Sequence, residues 1–236
     1  MWFIHELHEV RGDREDELDA SLRDEWIPAV AGLDGVRVLY VLRHAHGTGP
    51  SYNLLTITAA RDGAAWERLA AAIDGGPLSE PSRRLDGMRH DVTGKIMIPL
   101  PWSPIQTVDL DTVPHLPAEH ETSMFMADTV RPNAGRLEDY VKASGSHYAP
   151  EIAERSQSEG SMIAIEGAYR TAYGAGVRRE ILLWQRVVEP RALVPLITRE
   201  LPERYRAPGT WMHDALELRD RWSSSLLRTV PWSPLY

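Results

Sequence analysis

The sequence predicts an α+β protein built from two ferredoxin-like units, each with the order β-α-β-β-α-β, which together form one pseudo-dimeric barrel. Two observations lead to this fold class. The tetrapeptide Pro-Trp-Ser-Pro occurs at 101–104 and again at 231–234, 130 residues later (231 minus 101), and Arg89 recurs at the same offset as Arg219. Similar strand-forming and helix-forming segments precede each tetrapeptide. An internal match of this kind indicates one module present twice.

The repeat also sets the predicted boundaries. The first unit spans 1–105, a linker spans 106–122, and the second unit spans 123–236. The linker is rich in proline and acidic residues, with Pro114 and Pro117 among them, which is typical of a connecting segment.

The first half contains alternating strand and helix patterns. Aromatic and β-branched residues predict a strand over 2–10. Leu18, Leu22, Trp26 and Val30 recur every four residues and predict a helix, with Asp13 as its N-cap. Further strands are predicted over 36–42, 52–58 and 96–100, and further helices over 63–73 and 79–89.

The second half repeats this order. Strands are predicted over 124–130, 161–169, 180–188 and 226–230. Asn133 is the predicted cap of a helix that extends through Ile152, and Gly174 and Gly176 mark a turn. A helix from Pro190 through Leu201 and a longer amphipathic helix over 211–222 complete the unit.

Each unit leaves one face of its sheet bare, because two helices cover only the other face. Two copies can place bare face against bare face and close a barrel, which also removes exposed strand edges. The repeated Arg89 and Arg219 favour a structural role at helix C-termini, and the repeated Trp102 and Trp232 favour a role as chain-end anchors.

Composition excludes several function classes. The net charge of −8 argues against a nucleic-acid partner, which needs clustered positive charge. The absence of cysteine excludes disulfides and thiolate chemistry and fits a reducing compartment. No apolar run is long enough for a membrane helix, and residues 1–6 lack the pattern of a signal peptide, so we expect a cytoplasmic protein with no membrane partner. Only two of the 26 basic residues are lysine, Lys95 and Lys142, which suggests a GC-rich bacterial coding sequence.

Three residues are candidates for proton transfer. His8 and Asp128 occupy equivalent positions in the first strands of the two halves, where polar side chains need partners or a wet cavity. Facing each other across a barrel lumen, they would form an acid/base pair. His147 lies on the helix of the second half and could act as a base or ligate haem iron. The alternative for all three is ordinary packing and hydrogen bonding.

Aromatic residues are candidates for a ligand-binding wall. Tyr40, Trp66, Tyr169 and Trp184 fall on predicted strands and on one helix, and the excess of Trp and Tyr over Phe favours rings with a polar edge. Core packing is the alternative. The pair His44 and His46 has the spacing of two metal ligands, but no third ligand is evident, and a solvated glycine-rich loop explains them equally well.

The chain resembles the dimeric α+β barrel superfamily and, within it, the NIPSNAP-like proteins. The residues that carry the resemblance are the helix 136–142 with 147–150, the strands 163–170 and 181–185, and their weaker counterparts in the first half. The superfamily includes cofactor-free monooxygenases, haem proteins, cyclases and isomerases. The resemblance implies a ligand site between a sheet and the helices or loops at the barrel mouth.

These observations predict a cofactor-independent enzyme that acts on a hydrophobic or aromatic small molecule. The expected reaction is an acid/base isomerisation, cyclisation or lyase step, or an O2-dependent oxidation. The alternatives are a non-enzymatic ligand-binding or scaffold protein and a haem protein. No phosphate loop, dinucleotide fingerprint or zinc motif is present. Further association of the chains into a homo-oligomer is also expected.

Overall fold

The computed structural model describes residues 1–116, 118–156, 161–174, 178–200 and 202–236. The chain divides into two compact units. Unit 1 comprises Met1–Ile98, Thr107–Ser123 and Leu227–Tyr236, and unit 2 comprises Pro99–Gln106 and Met124–Leu226. Pro117 of the predicted linker, Gly176 of the predicted turn and Leu201 of the predicted helix lie outside the described residues.

Unit 1 follows the predicted order of elements. Its strands are β1 (Trp2–Val10), β2 (Val36–His44), β3 (Asn53–Ala60) and β4 (Arg89–Pro99, of which Pro99 falls in unit 2). Its helices are α1 (Glu15–Ser21), α2 (Ile27–Ala31), α3 (Gly63–Asp74) and α4 (Ser79–Met88). Helix α3 starts where the sequence predicts, because the Asp62 carboxylate accepts a hydrogen bond from the Ala65 N–H at 2.8 Å.

The neighbouring strands of unit 1 run in the order β4-β1-β3-β2, and the pairs are antiparallel. One face of this sheet packs against the helices: Val10 and Leu54 join Leu22 and Leu69 in one buried cluster. Because side chains alternate along a strand, Ile4, Glu6 and His8 lie on this helix-covered face with Val10, and Phe3, His5 and Leu7 lie on the other.

Unit 2 repeats this arrangement with different helices. Its strands are β5 (Met124–Pro132), β6 (Ile163–Thr171), β7 (Ile181–Val187) and the first part of β8 (Arg219–Thr229), in the order β8-β5-β7-β6. Its helices are α5 (Leu137–Ala143), α6 (Ala149–Ser156), α7 (Leu193–Thr198) and α8 (Trp211–Asp214). Met126, Val130 and Leu183 share the helix-covered face.

The first helix of each unit contains a π-helical turn at the same place. Leu22–Trp26 separates α1 from α2, and Ser144–Tyr148 separates α5 from α6. Each turn ends two residues before a proline, Pro28 or Pro150. Proline has no N–H and clashes with the carbonyl four residues earlier, so the helix widens instead of continuing regularly.

The two Pro-Trp-Ser-Pro segments fix the ends of the units through matching hydrogen bonds. In unit 2, the Ser103 hydroxyl accepts from the Ala168 N–H at 2.9 Å and donates to the Ile105 carbonyl at 3.0 Å. In unit 1, the Ser233 hydroxyl accepts from the Val41 N–H at 3.0 Å and donates to the Leu235 carbonyl at 2.7 Å. The tetrapeptide at the end of the first half therefore belongs to unit 2, and the one at the end of the second half belongs to unit 1.

The structure differs from the sequence-based expectations mainly in unit 2. The predicted helix over 211–222 is wrong: α8 ends at Asp214, and Arg219–Thr229 is strand β8, which pairs with β2 through Leu227–Thr229. The predicted caps Asp13 and Asn133 do not cap. The N-cap residues are Arg14 and Arg136, and Asn133 donates to the Glu217 carbonyl instead.

None of the helices in the described part of the chain has both the length and the apolar character needed to span a membrane.

Candidate functional site

A cavity of about 320 Å³ lies in unit 2, where the chain after α7 returns to β8. Its apolar lining comes from Met212, Leu216 and Trp222. Its polar lining comes from Arg206, His213, Arg219, Asp220 and Arg221. A concave, largely apolar wall with a few converging polar groups is the usual form of a small-molecule site.

His213, which lines this cavity, is paired with Asp214. His213 Nδ1 is 2.9 Å from Asp214 Oδ1, and the same oxygen accepts a hydrogen bond from the Gly209 N–H at 3.1 Å. The hydrogen bonds from His213 and Gly209 lower the pKa of Asp214, so its carboxylate accepts the Nδ1 proton. The lone pair of the neutral imidazole is then on Nε2.

The local sequence explains why this pair is fixed. Gly209 has φ of +86°, which only glycine adopts without strain, and it turns the chain before α8. The Thr210 side chain then accepts from the His213 N–H and caps the short helix. The Gly-Thr turn therefore fixes the pair, with His213 at the cavity.

Arg219 forms the buried part of the cavity wall. Only 7% of this residue is exposed, and its guanidinium lies over the Trp222 ring, 5.3 Å from the ring centroid. Its Nη2 is 3.8 Å from the Met212 sulfur. Burial raises the pKa of the Tyr140 hydroxyl to about 12, and the nearby Arg219 opposes this rise.

A buried polar chain lies behind Arg219. The Tyr148 hydroxyl donates a short hydrogen bond to Gln185 Oε1, and Gln185 Nε2 donates to Asp128 Oδ2 at 3.0 Å. Burial raises the pKa of Asp128, although the hydrogen bond from Gln185, the nearby Ser224 and Trp222 side chains and the charge of Arg219 act against it. Burial also raises the pKa of Tyr148. Arg219 and Trp222 thus link this chain to the cavity.

Unit 1 carries an equivalent polar chain with different residues. Arg89 Nη1 is 2.7 Å from His8 Nδ1, and His8 Nε2 is 3.0 Å from Thr56 Oγ1. Burial, and then the charge of Arg89, lower the pKa of His8 to about 3. In unit 1, His8 lies on the first strand, Thr56 lies on the third strand, and Arg89 is the repeated arginine. The same three positions supply Asp128, Gln185 and Arg219 in unit 2.

The expectation that His8 and Asp128 face each other across a lumen is wrong. Each side chain lies on the helix-covered face of its own unit, where its hydrogen-bond partners are. The alternation of β1 and β5 separates two sets of side chains but does not show which set meets the helices. Arg89 is the C-cap residue of α4, in agreement with the predicted place at a helix C-terminus, and both Arg89 and Arg219 also act on these buried groups.

His147 does not line the cavity, although its charge acts on Asp214 and contributes to the lowered pKa of that carboxyl. It is exposed, and its Nδ1 is 2.8 Å from the Ser146 hydroxyl and 3.2 Å from the Ala143 carbonyl. An exposed imidazole held by its own helix does not suit a haem ligand, which needs a buried pocket for the macrocycle.

The predicted aromatic wall is only partly assembled. Phe125 and Trp184 stack with ring centroids 4.7 Å apart, and Tyr169 lies on the same face of the unit 2 sheet, opposite the helices. Tyr40 occupies the corresponding face of unit 1. Trp66 is 36% exposed on α3, and its ring centroid is 6.3 Å from that of Trp2, so its role in a ligand wall stays a prediction.

No metal cluster supports the His44 and His46 alternative. Among the described residues, no group of three His, Cys, Asp or Glu side chains is placed to hold a metal ion. The His44 ring instead packs tightly against Gly49, where any larger residue would collide with it.

Sequence reasoning missed His213, Asp214 and the cavity itself. The predicted helix over 211–222 obscured them, because it gave Arg219 and Trp222 a helical spacing from His213 that the structure does not have. The sequence Pro208-Gly209-Thr210 was the available signal, since a glycine turn followed by a capping threonine predicts a new helix start.

No family model matches the chain, and no curated protein sequence matches it. Solved structures do match. The chain is similar to an anthrone oxidase-like protein, with a TM-score of 0.60 and 9% identity over 97% of this chain and 91% of that chain. A protein from Lactobacillus acidophilus NCFM, provisionally named a monooxygenase, matches with a TM-score of 0.58 and 10% identity over 96% of this chain and 93% of that chain. Chlorite dismutase from Candidatus Nitrospira defluvii matches with a TM-score of 0.54 and 8% identity over 98% of this chain and 91% of that chain.

Such low identities show the fold alone. The chain has the ferredoxin-like α+β barrel fold of these proteins, in agreement with the class predicted from its sequence. A NIPSNAP family protein from Agrobacterium tumefaciens, 18% identical, matches 44% of this chain and 99% of its own length with a TM-score of only 0.37. The NIPSNAP-like assignment and the origin of the two units by duplication therefore stay predictions.

Proposed function

We propose that this chain is an enzyme that oxidises a hydrophobic aromatic small molecule with O2, without a resident cofactor, in the cavity of unit 2. The observation that carries the proposal is His213 on the wall of an apolar cavity, with its Nδ1 2.9 Å from the Asp214 carboxylate. A base whose second nitrogen is held by a carboxylate is the arrangement that proton abstraction requires. The names of two structural neighbours, an anthrone oxidase-like protein and a provisional monooxygenase, agree with oxidation.

His213 is the proton acceptor in this scheme. Its Nε2 takes a proton from an acidic methylene or phenol of the substrate, and Asp214 stabilises the resulting imidazolium. The electron-rich anion then reacts with O2. For a methylene, both C–H bonds and the O–O bond break. One oxygen atom of O2 forms the carbonyl on the same carbon, and the other leaves as water with both methylene hydrogens, so the carbon is oxidised and O2 is fully reduced.

Arg219 and Trp222 provide the environment for this anion. The guanidinium offers positive charge, and the indole offers a stacking surface for a flat ring system. Asp128, Gln185 and Tyr148 are positioning residues that hold the back of the cavity wall. His8 and His147 have no part in this scheme, because His8 belongs to unit 1 and His147 does not line the cavity.

The test is oxygen consumption with anthrone as the probe. We expect the wild-type protein to accelerate O2 uptake over the protein-free reaction, and we expect His213→Gln to lose about two to four orders of magnitude of that acceleration. His90→Gln changes an exposed histidine of unit 1 and should retain full activity. Uptake equal to the protein-free blank, or full activity in His213→Gln, would contradict the proposal. Probe binding without uptake would indicate a ligand-binding protein instead.

The absence of cysteine fits a reducing compartment, so a cytoplasmic location remains part of this proposal. Association of whole chains into a homo-oligomer remains part of it as well.

A further inference from the structure

The guanidinium of Arg219 is buried. Among the residues that the structure describes, no carboxylate lies within 4.0 Å of its guanidinium. Its contacts are the Trp222 ring, the Met212 sulfur and the Tyr140 hydroxyl, all of them neutral. Asp128 lies further away, and burial raises the pKa of that carboxyl. A guanidinium removed from water without a close counter-ion carries a large desolvation cost, so a group that supplies negative charge stabilises it strongly.

The equivalent arginine of unit 1 shows the contrast. Arg89 donates to Asp86 Oδ1 at 2.5 Å and lies 2.7 Å from His8 Nδ1. Its charge is therefore satisfied by its own unit, and of the two arginines Arg219 is the one that lines the cavity. The difference between two equivalent positions suggests that unit 2 keeps its arginine for a ligand.

The other charged groups of the cavity also favour an anionic ligand. Arg206 and Arg221 add positive charge to its rim. Arg206 lies 3.9 Å from Glu203, and both side chains are exposed. The acidic lining residue, Asp220, is engaged by Arg178 at 3.2 Å. The cavity as a whole therefore favours an anion.

We infer that the cavity of unit 2 binds a planar aromatic ligand that carries a carboxylate, with the carboxylate on Arg219 and the rings against Trp222, Met212 and Leu216. A guanidinium matches a carboxylate with two parallel hydrogen bonds, which a neutral amide cannot reproduce. This inference deepens the proposed function and rests on it in one respect: the carboxylate would be the part of the substrate that orients the reacting carbon toward His213.

The experiment compares two probes of the same shape, 2-naphthoate and 2-naphthamide, by isothermal titration calorimetry on the full chain. We expect naphthoate to bind wild type about tenfold or more tightly than naphthamide, as a charge-assisted pair predicts. Arg219→Gln should bring the ratio of the two affinities close to one. Arg89→Gln is the matched control, and it should keep the wild-type ratio because Arg89 does not line the cavity.

Circular dichroism establishes that each variant is folded before titration. If Arg219→Gln does not fold, Arg219→Lys replaces it, and the ratio should fall because lysine keeps the charge but loses the two-pronged geometry. Equal affinities for the two probes in wild type, a ratio that survives in both Arg219 variants, or no binding of either probe would overturn the inference. The oxygen assay separates the two proposals: uptake without carboxylate preference removes only this inference, and carboxylate preference without uptake removes only the oxidase.

Discussion

Arg89 holds His8 in one tautomer. The guanidinium can only donate, so His8 Nδ1, 2.7 Å away, must be the acceptor. The proton of the neutral ring is then on Nε2, which donates to Thr56 Oγ1 at 3.0 Å, and Thr56 in turn donates to Glu6 at 3.4 Å. A second proton on His8 would be repelled by the positive charge of Arg89, and this repulsion adds to burial in lowering the pKa of His8.

This arrangement makes unit 1 sensitive to acid. The pKa of His8 is about 3 in the folded protein, against about 6.5 in an unfolded chain, so between these values only the unfolded chain takes up the proton. The contribution of His8 is complete above about pH 6.5 and is lost as the pH falls toward 3. His8→Gln should therefore reduce the slope of unfolding free energy against pH by about 1.4 kcal/mol per pH unit between pH 6 and 4.

Urea unfolding at several pH values measures this slope. Buried His5, whose pKa is also lowered to about 3, contributes a slope of the same sign, and Asp19, whose pKa is raised to about 6, contributes one of the opposite sign, so the difference between variant and wild type isolates His8. The control His90→Gln changes an exposed side chain and should leave the wild-type slope intact. A slope in His8→Gln equal to that of wild type would show that His8 does not stay neutral in the fold.

The Pro-Trp-Ser-Pro segment at 231–234 should contribute strongly to stability. Trp232 is buried in the core of unit 1, so Trp232→Ala should cost about 3–5 kcal/mol. Ser233→Ala should cost about 1–3 kcal/mol, because the Val41 N–H would lose its buried acceptor. Chemical denaturation measures both. Arg228→Ala, an exposed change close by, should stay within about 0.5 kcal/mol, and a loss under about 1 kcal/mol for Trp232→Ala would rule out the anchoring role.

The aromatic layer opposite the helices of unit 2 should behave as core. Trp184 is 2% exposed and stacks on Phe125, so Trp184→Ala should cost about 3–5 kcal/mol. Trp66→Ala, on the exposed side of α3, should cost about 1 kcal/mol or less. Thermal unfolding of the two variants tests the contrast, and equal losses would contradict the assignment of faces.

His147→Ala should change neither stability nor O2 uptake. Its imidazole is exposed, lies near the Ser146 hydroxyl and the Ala143 carbonyl of its own helix, and does not line the cavity. We expect a change in unfolding free energy within about 0.5 kcal/mol and an unchanged rate with anthrone. Loss of activity with an unchanged melting temperature would restore His147 as a site residue.

The sequence predicts the order of elements well, since helix stripes such as Leu18 with Leu22 and the repeat at Arg89 and Arg219 are local or self-consistent signals. It does not predict which strand face meets the helices. Alternation pairs His8 with Glu6 and Asp128 with Met126, but only packing decides where these sets point.

The candidate site could not be predicted because one element, the helix over 211–222, was predicted wrongly. The pattern of Trp211, Leu216, Leu218 and Trp222 fits a helix face, and a helical pattern cannot show that residues from Arg219 onward gain more by joining a sheet beside β5. Once that segment is a strand, His213 and Arg219 fall on one cavity. Long-range pairing, which leaves no trace in local spacing, therefore determines the site.

The exchange of the two tetrapeptides between the units has a consequence for synthesis on the ribosome. Pro99–Gln106 is made before the rest of unit 2, so that unit has its closing segment ready as its strands emerge. Unit 1 needs Leu227–Tyr236, which follow its other residues only after the whole of Met124–Leu226 has been made. The N-terminal unit is therefore the last to be completed, and its sheet stays without its final segment throughout the translation of its neighbour.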